Sequence, residues 1–478
     1  MCSDKVYLYE QIATDINSAI QHGTYLTGER LPSLRQLCSD YEVSLATAVQ
    51  AYEYLLQQQI IESRPQRGYF VSEPLAPAKQ PKVSRPSQTP REVNVAELAM
   101  SLVEESRQSG LIKLGAAVPA AELLPLGALS RTMAGVARRE YLAAASYEQA
   151  EGNLGLRKQI VKLMRETGVH AHPDDVVITN GCLEALSLAL RLLTSRGDTV
   201  AIESPSYFGL LQTMQSLGLK VLEIPTHPQD GMDLDALQRV LQKRSIKACL
   251  LVPTYSNPLG SCMPQENRKR LVEILAQYNV PIIEDDEYGF LSYASKRPKA
   301  IKAYEQDGNV IFCSSFSKTI APGLRLGWML AGRYSEQVRY QKFLDNISTA
   351  IHTQLAMAEF LAKGNFRRSV RNAARIYQRR MEQLRFWIRE YFPENTRISK
   401  PEGGFILWLE LPEEVDSFAL YHAAKEQKIT ITPGLLFSAQ PQYNHHIRLS
   451  CGVVEGEKAK RSIQKLGKMI TEMMPYND

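Results

Sequence analysis

Residues 312–328 read Phe-Cys-Ser-Ser-Phe-Ser-Lys-Thr-Ile-Ala-Pro-Gly-Leu-Arg-Leu-Gly-Trp, and this stretch decides how the larger part of the chain is interpreted. Ser315 and Ser317 flank Lys318, and Arg325 follows seven residues later. Two hydroxyls and a guanidinium are donors that can hold a phosphate group. Nearby positive charge and desolvation lower the pKa of a lysine, so its amine can form a Schiff base with an aldehyde. The stretch therefore predicts a phosphate cup beside a reactive lysine; a plain surface lysine fits this mostly uncharged segment badly.

Short β-branched runs alternate with helical patterns from about residue 96 onward. The runs occupy 175–179, 199–202, 248–252, 280–283 and 309–312. This alternation is typical of an α/β fold whose mostly parallel sheet has helices on both faces. Ligands of such folds bind at the carboxyl ends of the strands, which is where residues 312–328 begin.

Other polar segments follow these runs. Gly181 lies in a strand-turn-helix segment where free helix amides could bind an anion. Asn257 could donate its amide to a phenolate or carboxylate oxygen, although Asn-Pro is also a plain turn. Glu284, Asp285, Asp286 and Glu287 form an acidic run that needs cationic partners at the end of an apolar strand. An acidic cluster often indicates a metal, but no histidine accompanies this one, so we predict no metal site.

Together these segments resemble the fold-type I pyridoxal-phosphate aminotransferases over residues 111–470. The resemblance rests on the order of Gly181, Cys182, Tyr207, Asn257, Asp285, Tyr288, Ser315, Ser317, Lys318, Arg325 and Arg448. It implies a large, mostly parallel sheet domain at about 140–350. It also implies a small α+β domain built from about 96–139 and 351–478.

The resemblance implies a role for each matching position. Lys318 would hold pyridoxal phosphate as an aldimine, and Asp285 would pair with the pyridinium nitrogen. Asn257 and Tyr288 would bind the ring hydroxyl oxygen, and Tyr207 would stack on the ring. The phosphate would be held by Gly181, Cys182, Leu183, Ser315, Ser317 and Arg325.

Two more positions concern the substrate and the assembly. Arg448 would clamp the α-carboxylate of an amino acid through two parallel hydrogen bonds. Tyr147 resembles the tyrosine that reaches the phosphate of the neighbouring subunit. This implies a homodimer in which each site is completed by the other subunit.

The first 72 residues form a separate pattern. Leu8, Ile12, Ile16 and Ile20 recur every four residues and predict a helix that ends at Gly23. Ser33 and Ser44 can each cap a following helix. Residues 60–62 and 68–71 alternate like two strands around a turn. Two helices across a tight turn, followed by a hairpin, predict a winged helix-turn-helix.

This module resembles the GntR-type DNA-binding domains at 31–35, 44–47 and 64–71. The resemblance implies contacts with double-stranded DNA from Ser33, Arg35, Ser44, Thr47, Arg67 and Gly68. Residues 1–72 hold five basic and eight acidic residues, so non-specific affinity for phosphates is expected to be weak. The alternative is a small helical domain that binds protein.

Residues 73–95 separate the two regions as a proline-rich linker. Its prolines at 74, 77, 81, 86 and 90 forbid helix, and an extended tether of this length could reach roughly 70 Å. We therefore divide the chain into 1–72, the linker, and 96–478. With no apolar run of membrane-spanning length, no signal peptide, and seven scattered cysteines, the sequence predicts a cytoplasmic protein with reduced thiols and no membrane partner.

Both regions in one chain resemble the MocR-like subfamily of GntR-type transcriptional regulators. The resemblance implies a DNA-binding regulator that senses pyridoxal phosphate, an amino acid or an amine, with at most slow transamination. The alternative is a working aminotransferase with an appended DNA-binding module. A purely structural aminotransferase fold without cofactor is a third possibility.

Overall fold

The computed structural model describes residues 7–58, 60–64, 66–72, 78–95, 99–100, 104, 110–452 and 456–475. Pro65 of the predicted wing, residues 73–77 of the linker and most of 96–109 lie outside these ranges. Within the described ranges, the helices are too short or too polar to cross a membrane.

The N-terminal module consists of three helices and a hairpin: α1 (Leu8–Gln21), α2 (Leu34–Asp40), α3 (Leu45–Gln57), β1 (Ile61–Arg64) and β2 (Gly68–Val71). The two strands pair antiparallel. Ile12 and Ile16 of α1 pack with Leu37 and Leu55 in one buried core. The predicted winged helix-turn-helix is confirmed.

The two predicted serine caps begin α2 and α3. Ser33 Oγ accepts a hydrogen bond from the amide of Gln36, and Ser44 Oγ accepts one from the amide of Thr47, each at 3.2 Å. An N-cap of this kind satisfies an amide that the helix itself leaves without a partner. The caps therefore fix where the turn between α2 and α3 ends.

Replacing Ser44 with alanine is expected to destabilise α3 by about 1 kcal/mol, because the Thr47 amide loses its partner. Amide hydrogen exchange measured along α3 in the full chain checks this. Ser18→Ala, the same chemical change inside α1, serves as the control because alanine is favoured within a helix. Equal exchange along α3 in both variants would contradict the capping role.

The remaining helices and strands follow in chain order: β3 (Arg91–Glu92), β4 (Ile112–Lys113), α4 (Leu126–Arg139), α5 (Leu154–Met164), β5 (Val176–Thr179), α6 (Cys182–Leu193), β6 (Thr199–Ser204), α7 (Phe208–Ser216), β7 (Lys220–His227), β8 (Gly231–Met232), α8 (Leu234–Lys243), β9 (Ala248–Leu251), α9 (Gln265–Gln277), β10 (Ile282–Asp285), β11 (Val310–Ser315), β12 (Gly327–Leu330), α10 (Ser335–Asn346), α11 (Ile351–Ala362), α12 (Asn365–Tyr391), β13 (Arg397–Ile398), β14 (Ile406–Glu410), α13 (Ser417–Glu426), β15 (Ile429–Thr430), β16 (Thr432–Pro433), β17 (His446–Ser450) and α14 (Gly456–Met473).

The large sheet has the strand order β3-β7-β6-β9-β10-β11-β12-β5, with β8 paired to β7. Strands β7, β6, β9, β10 and β11 run parallel, whereas β12 is antiparallel to both of its neighbours. Separate apolar clusters cover the two faces of this sheet. The predicted α/β class with a mostly parallel sheet is confirmed.

A smaller sheet, in the order β13-β14-β17-β16, lies in the C-terminal part of the chain. The long helix α12 packs against α14, and α13 packs against α14 and β15. Strand β4 pairs with β15, so residues 110–115 belong structurally with this C-terminal part. The smaller sheet places β17 beside the carboxyl ends of the large sheet.

Residues 78–95 are irregular, as their prolines predict, but they do not form a free tether. The amide of Lys82 bonds to Glu410 Oε2 at 2.6 Å, and Ser84 Oγ donates to the carbonyl of Ser204 at 3.0 Å. The amide of Ser87 donates to Gln440 Oε1 at 2.9 Å, and β3 extends the edge of the large sheet beside β7. The expected reach of roughly 70 Å is therefore wrong for the described part of the linker, because hydrogen bonds hold it on the larger region.

The winged helix also contacts the larger region directly. Glu10 on α1 lies 3.4 Å from Arg379 and 3.6 Å from Arg375, both on α12. The guanidinium of Arg379 also lies over the ring of Tyr54 on α3. The N-terminal end of α3, where Ser44 and Leu45 are exposed, is left open by this contact.

Candidate functional site

A cavity of about 240 Å³ lies at the carboxyl ends of the large sheet. Nine of the predicted site residues line it: Cys182, Leu183, Tyr207, Asn257, Asp285, Tyr288, Ser317, Lys318 and Arg325. Gly181 is next to Arg325, Ser315 bonds to Ser317, and Arg448 bonds to Asn257. The structure therefore brings together twelve predicted residues that are spread over more than 260 positions of sequence.

Lys318 follows β11 and points into the cavity, where its Nζ donates to the carbonyl of Ala117 at 3.0 Å. Burial lowers the pKa of Lys318, while the Glu287 carboxylate opposes this shift. A lowered pKa increases the fraction of neutral amine, which is the form that attacks an aldehyde.

Asp285, the last residue of β10, also lines the cavity. The Cys182 thiol donates to its Oδ1 at 3.4 Å. Burial and the nearby Glu287 raise the pKa of Asp285 to about 8. A buried carboxylate in this state is stabilised when a cationic nitrogen enters beside it, as a protonated pyridine ring would.

The predicted phosphate cup lies where α6 begins. No side chain caps α6, so its first amides are open toward the cavity, and Gly181 adopts a φ of 83°. A side chain at Gly181 would collide with the Arg325 guanidinium, which also lies 3.3 Å from Ser317 Oγ. Free helix amides, a hydroxyl and a guanidinium converging at one point fit a phosphate group.

Arg448 on β17 is buried beside the cavity. It donates to Asn257 Oδ1 at 2.9 Å and to the carbonyl of Gly115 at 2.8 Å, and Thr432 Oγ1 lies 3.3 Å away. Its Nε is buried without a hydrogen-bond partner, and burial lowers its pKa. Because Arg448 is surrounded by neutral acceptors, a carboxylate entering here would gain a charge-assisted bond.

Of the four acidic residues at the end of β10, two make structural contacts and two line the cavity. Glu284 accepts bonds from the amides of Ile301 and Lys302 at 2.8 and 3.0 Å. Asp286 pairs with Arg297 at 2.8 Å, with both side chains buried. Asp285 and Glu287 instead line the cavity. Strand alternation accounts for the opposite directions of Glu284 and Asp285 on β10, and Asp286 and Glu287 continue the same pattern beyond the end of the strand.

The sequence did not predict three contacts at the site. They are made by the Glu287 carboxylate and by the backbone carbonyls of Ala117 and Gly115. In the sequence Glu287 is part of the acidic run, and it lies two residues beyond the end of β10, where strand alternation no longer predicts the direction of a side chain. The two carbonyl acceptors carry no sequence signal, because every residue has one.

Tyr147 does not reach the cavity of its own chain. It is 83% exposed, and Tyr141 and Leu142, which precede it in the chain, are exposed as well. In the winged helix, Ser33, Arg35, Ser44 and Arg67 are exposed, while Thr47 and Gly68 are half-buried. These six positions stay predictions for DNA contact.

The fold and the cavity define a protein with an aminotransferase-type domain behind a winged helix-turn-helix. Residues 133–466 match the family model for aminotransferase class I and II, and residues 8–71 match that for bacterial regulatory proteins of the gntR family. The chain belongs to the MocR-like subfamily of GntR-type transcriptional regulators. It is 36% identical to an uncharacterized HTH-type transcriptional regulator, YjiR, of Escherichia coli (strain K12), covering 98% of this chain and 99% of that one.

The larger region is also similar to enzymes. It is 29% identical to aromatic-amino-acid aminotransferase 1 of Thermococcus litoralis, over 78% of this chain and 91% of the enzyme. The solved kynurenine aminotransferase of Pyrococcus horikoshii, in complex with PMP, superposes with a TM-score of 0.74 at 27% identity, over 79% of this chain and 95% of the enzyme. The cofactor implied by this family is pyridoxal phosphate, and the cup, Asp285 and Lys318 fit it.

Proposed function

We propose that this transcriptional regulator binds an amino acid in the cavity and that occupancy changes how its winged helix binds DNA. The observation that carries the proposal is Arg448, a buried guanidinium whose partner Asn257 lines the same cavity as Lys318. Pyridoxal phosphate held by Lys318 would present an aldehyde that reacts with amines, beside an arginine that binds carboxylates, and this pair suits a ligand with an amine and a carboxylate on one carbon. An amine without a carboxylate would react with the aldehyde but would make no use of Arg448.

Bound pyridoxal phosphate would supply an aldehyde that reacts with amines and a ring that withdraws electrons. Asp285 would hold the ring nitrogen protonated, and Tyr207 would cover one face of the ring. Asn257 and Tyr288 would orient the ring hydroxyl. The phosphate would be held by Ser315, Ser317, Arg325 and the amides of Gly181, Cys182 and Leu183.

Ligand binding would disturb a defined set of contacts. A carboxylate on Arg448 competes with the Gly115 carbonyl for the same guanidinium. Residues 115–120 lead to Ala120, whose amide bonds to Tyr377 on α12 at 2.9 Å. Through Arg375 and Arg379, α12 also contacts Glu10 of the winged helix. These contacts connect the cavity with the DNA-binding module, and the ligand acts through its different affinity for two arrangements of them.

We expect operator affinity of the cofactor-loaded protein to change about 5- to 150-fold when the effector amino acid is added, the usual range of such coupling. The measurement is fluorescence anisotropy of labelled operator DNA with no ligand, with pyridoxal phosphate, and with pyridoxal phosphate plus each common amino acid. The decarboxylated amine of the responding amino acid is the matched ligand control. Equal affinity under all conditions would remove the sensor proposal.

A working aminotransferase is the second candidate, favoured by the presence of Lys318, Asp285, Asn257, Tyr288 and Arg448 in one cavity. Turnover of amino acid with 2-oxo acid, compared with Lys318→Ala, distinguishes the two. Turnover near the level of that variant supports a regulator alone.

A homodimer completes the proposal. An apolar groove of about 780 Å³ is lined mainly by α4 and residues 321–324, and the exposed Tyr147 lies outside its own cavity. The groove includes exposed apolar side chains, Val118 and Leu126 among them, which supports a protein interface here, and a second copy would let Tyr147 reach the partner's phosphate cup. Light scattering that gave the mass of one chain would contradict this.

A further inference from the structure

Glu287 is a carboxylate inside the cavity for which the proposed cofactor chemistry has no use. Ser315 Oγ donates to its Oε1 at 2.8 Å, and its Oε2 is buried without a hydrogen-bond partner. Its carboxylate oxygen, an Asp285 oxygen and the Cys182 sulfur all lie within 4.8 Å of one another. A buried oxygen without a partner is costly, so Glu287 is poised to gain a proton or another contact.

Charges of both signs surround Glu287. The ionisable groups close enough to act on it are Lys318, Arg325, Asp285, Asp286, Cys182, Tyr207 and Tyr288. Burial raises the pKa of Glu287, while Lys318, the bond from Ser315 and Arg325 oppose that shift. Two carboxylates this close disfavour each other's ionisation, so their protonation is coupled.

The Ser315 hydroxyl cannot serve two acceptors. A serine has one O–H donor, and here it is directed to Glu287. The same hydroxyl belongs to the proposed phosphate cup. A phosphate dianion arriving at Ser315 would therefore meet an occupied donor and, beside it, a second negative charge in a buried site.

We propose that Glu287 competes with the cofactor's phosphate for the Ser315 hydroxyl, so that the cavity takes up a proton on Glu287 when it is loaded. One proton moves from solvent to a Glu287 oxygen, and the Ser315 O–H turns from Glu287 to the phosphate. This inference rests on the proposed phosphate cup. It adds that the affinity for the cofactor depends on pH through Glu287, a residue that the proposal gives no role in binding the ring.

The direction of the pH effect follows from this step. Below the pKa of Glu287 the proton is already present and loading takes up none. Above it, each loading event takes up one proton, so affinity falls up to tenfold for each unit that the pH rises. A glutamine at 287 is neutral at every pH, and its amide can donate to the phosphate.

Pyridoxine 5′-phosphate is the probe, because it has the phosphate and ring but no aldehyde, so the protonation of Lys318 does not enter through a covalent bond. Calorimetry on the full chain at pH 6.5 to 9, in buffers of different ionisation enthalpy, gives both affinity and protons taken up. We expect the affinity of Glu287→Gln to fall less steeply as the pH rises than that of the native chain, by up to tenfold per pH unit, and its proton uptake to be lower by up to one proton. Equal proton uptake, or weaker binding by Glu287→Gln, overturns the proposal.

The double variant Ser315→Ala with Glu287→Gln tests the route through the hydroxyl. If the two groups compete for one donor, Glu287→Gln gives a much smaller gain in the Ser315→Ala background. An undiminished gain there means that Glu287 acts only through its charge and overturns the competition. Failure of the native chain to bind the probe at any pH would instead overturn the phosphate cup itself.

Discussion

Lys318→Ala is expected to lose covalent attachment of pyridoxal phosphate and to weaken its binding about 100-fold or more, a change of about 2.7 kcal/mol or more. Lys318 is the one lysine among the residues lining the described cavity. The phosphate cup and Asp285 stay intact in the variant, so weak reversible binding is expected to persist. Borohydride reduction followed by mass spectrometry should find the cofactor on the Lys318 peptide of the native chain and on no peptide of the variant.

Lys296→Ala is the matched control, because Lys296 is exposed and follows a different segment of the chain. It should keep the native visible absorbance and the native labelling. Covalent labelling of Lys318→Ala at any other lysine would show that the reactive amine has been misassigned.

Arg448→Lys is expected to weaken the response to an amino acid about 100-fold while cofactor loading changes little. A lysine keeps the charge but loses the planar pair of donors that matches a carboxylate. Arg448 now donates to Asn257 Oδ1 and to the carbonyl of Gly115. The lysine of the variant would leave these two acceptors with fewer donors. Titration of the cofactor's visible absorbance with amino acids measures the response.

The decarboxylated amine serves as the control ligand for Arg448→Lys. It distinguishes a specific loss of carboxylate binding from a general disturbance of the cavity. The native chain and Arg448→Lys should respond to that amine at similar concentrations, because Arg448 has no carboxylate to bind in it. A variant that responds to the amino acid at the native concentration would show that the carboxylate binds elsewhere.

The sequence predicted those features of the fold that depend on residues close to one another in the chain. The β-branched runs became β5, β6, β9, β10 and β11, and Ser33 and Ser44 cap the helices they precede. Local patterns express backbone propensity and burial, so such elements can be inferred from neighbouring residues.

The features that sequence analysis missed are contacts between distant segments. β12 begins at Gly327, near the end of the stretch quoted first, yet its strand character comes from pairing on both sides with β11 and β5. The bond between Ser315 and Glu287 joins two strand ends 28 residues apart, and that between Arg448 and Gly115 spans 333 residues. Prolines correctly excluded helix from 78–95, but they could not indicate that Lys82 and Ser87 would find acceptors on the larger region.

The attached linker has a consequence for the DNA that this protein can read. With residues 78–95 fixed, the chain between Ser72 and Ala78 can extend at most about 20 Å. In a dimer, the separation of the two α3 helices, the second helices of the helix-turn-helix motifs, is then set by the paired aminotransferase domains and not by a flexible linker. Operators should therefore require a fixed centre-to-centre distance between half-sites. Inserting five base pairs, about half a helical turn, would rotate one half-site to the far face of the duplex and weaken binding more than inserting ten.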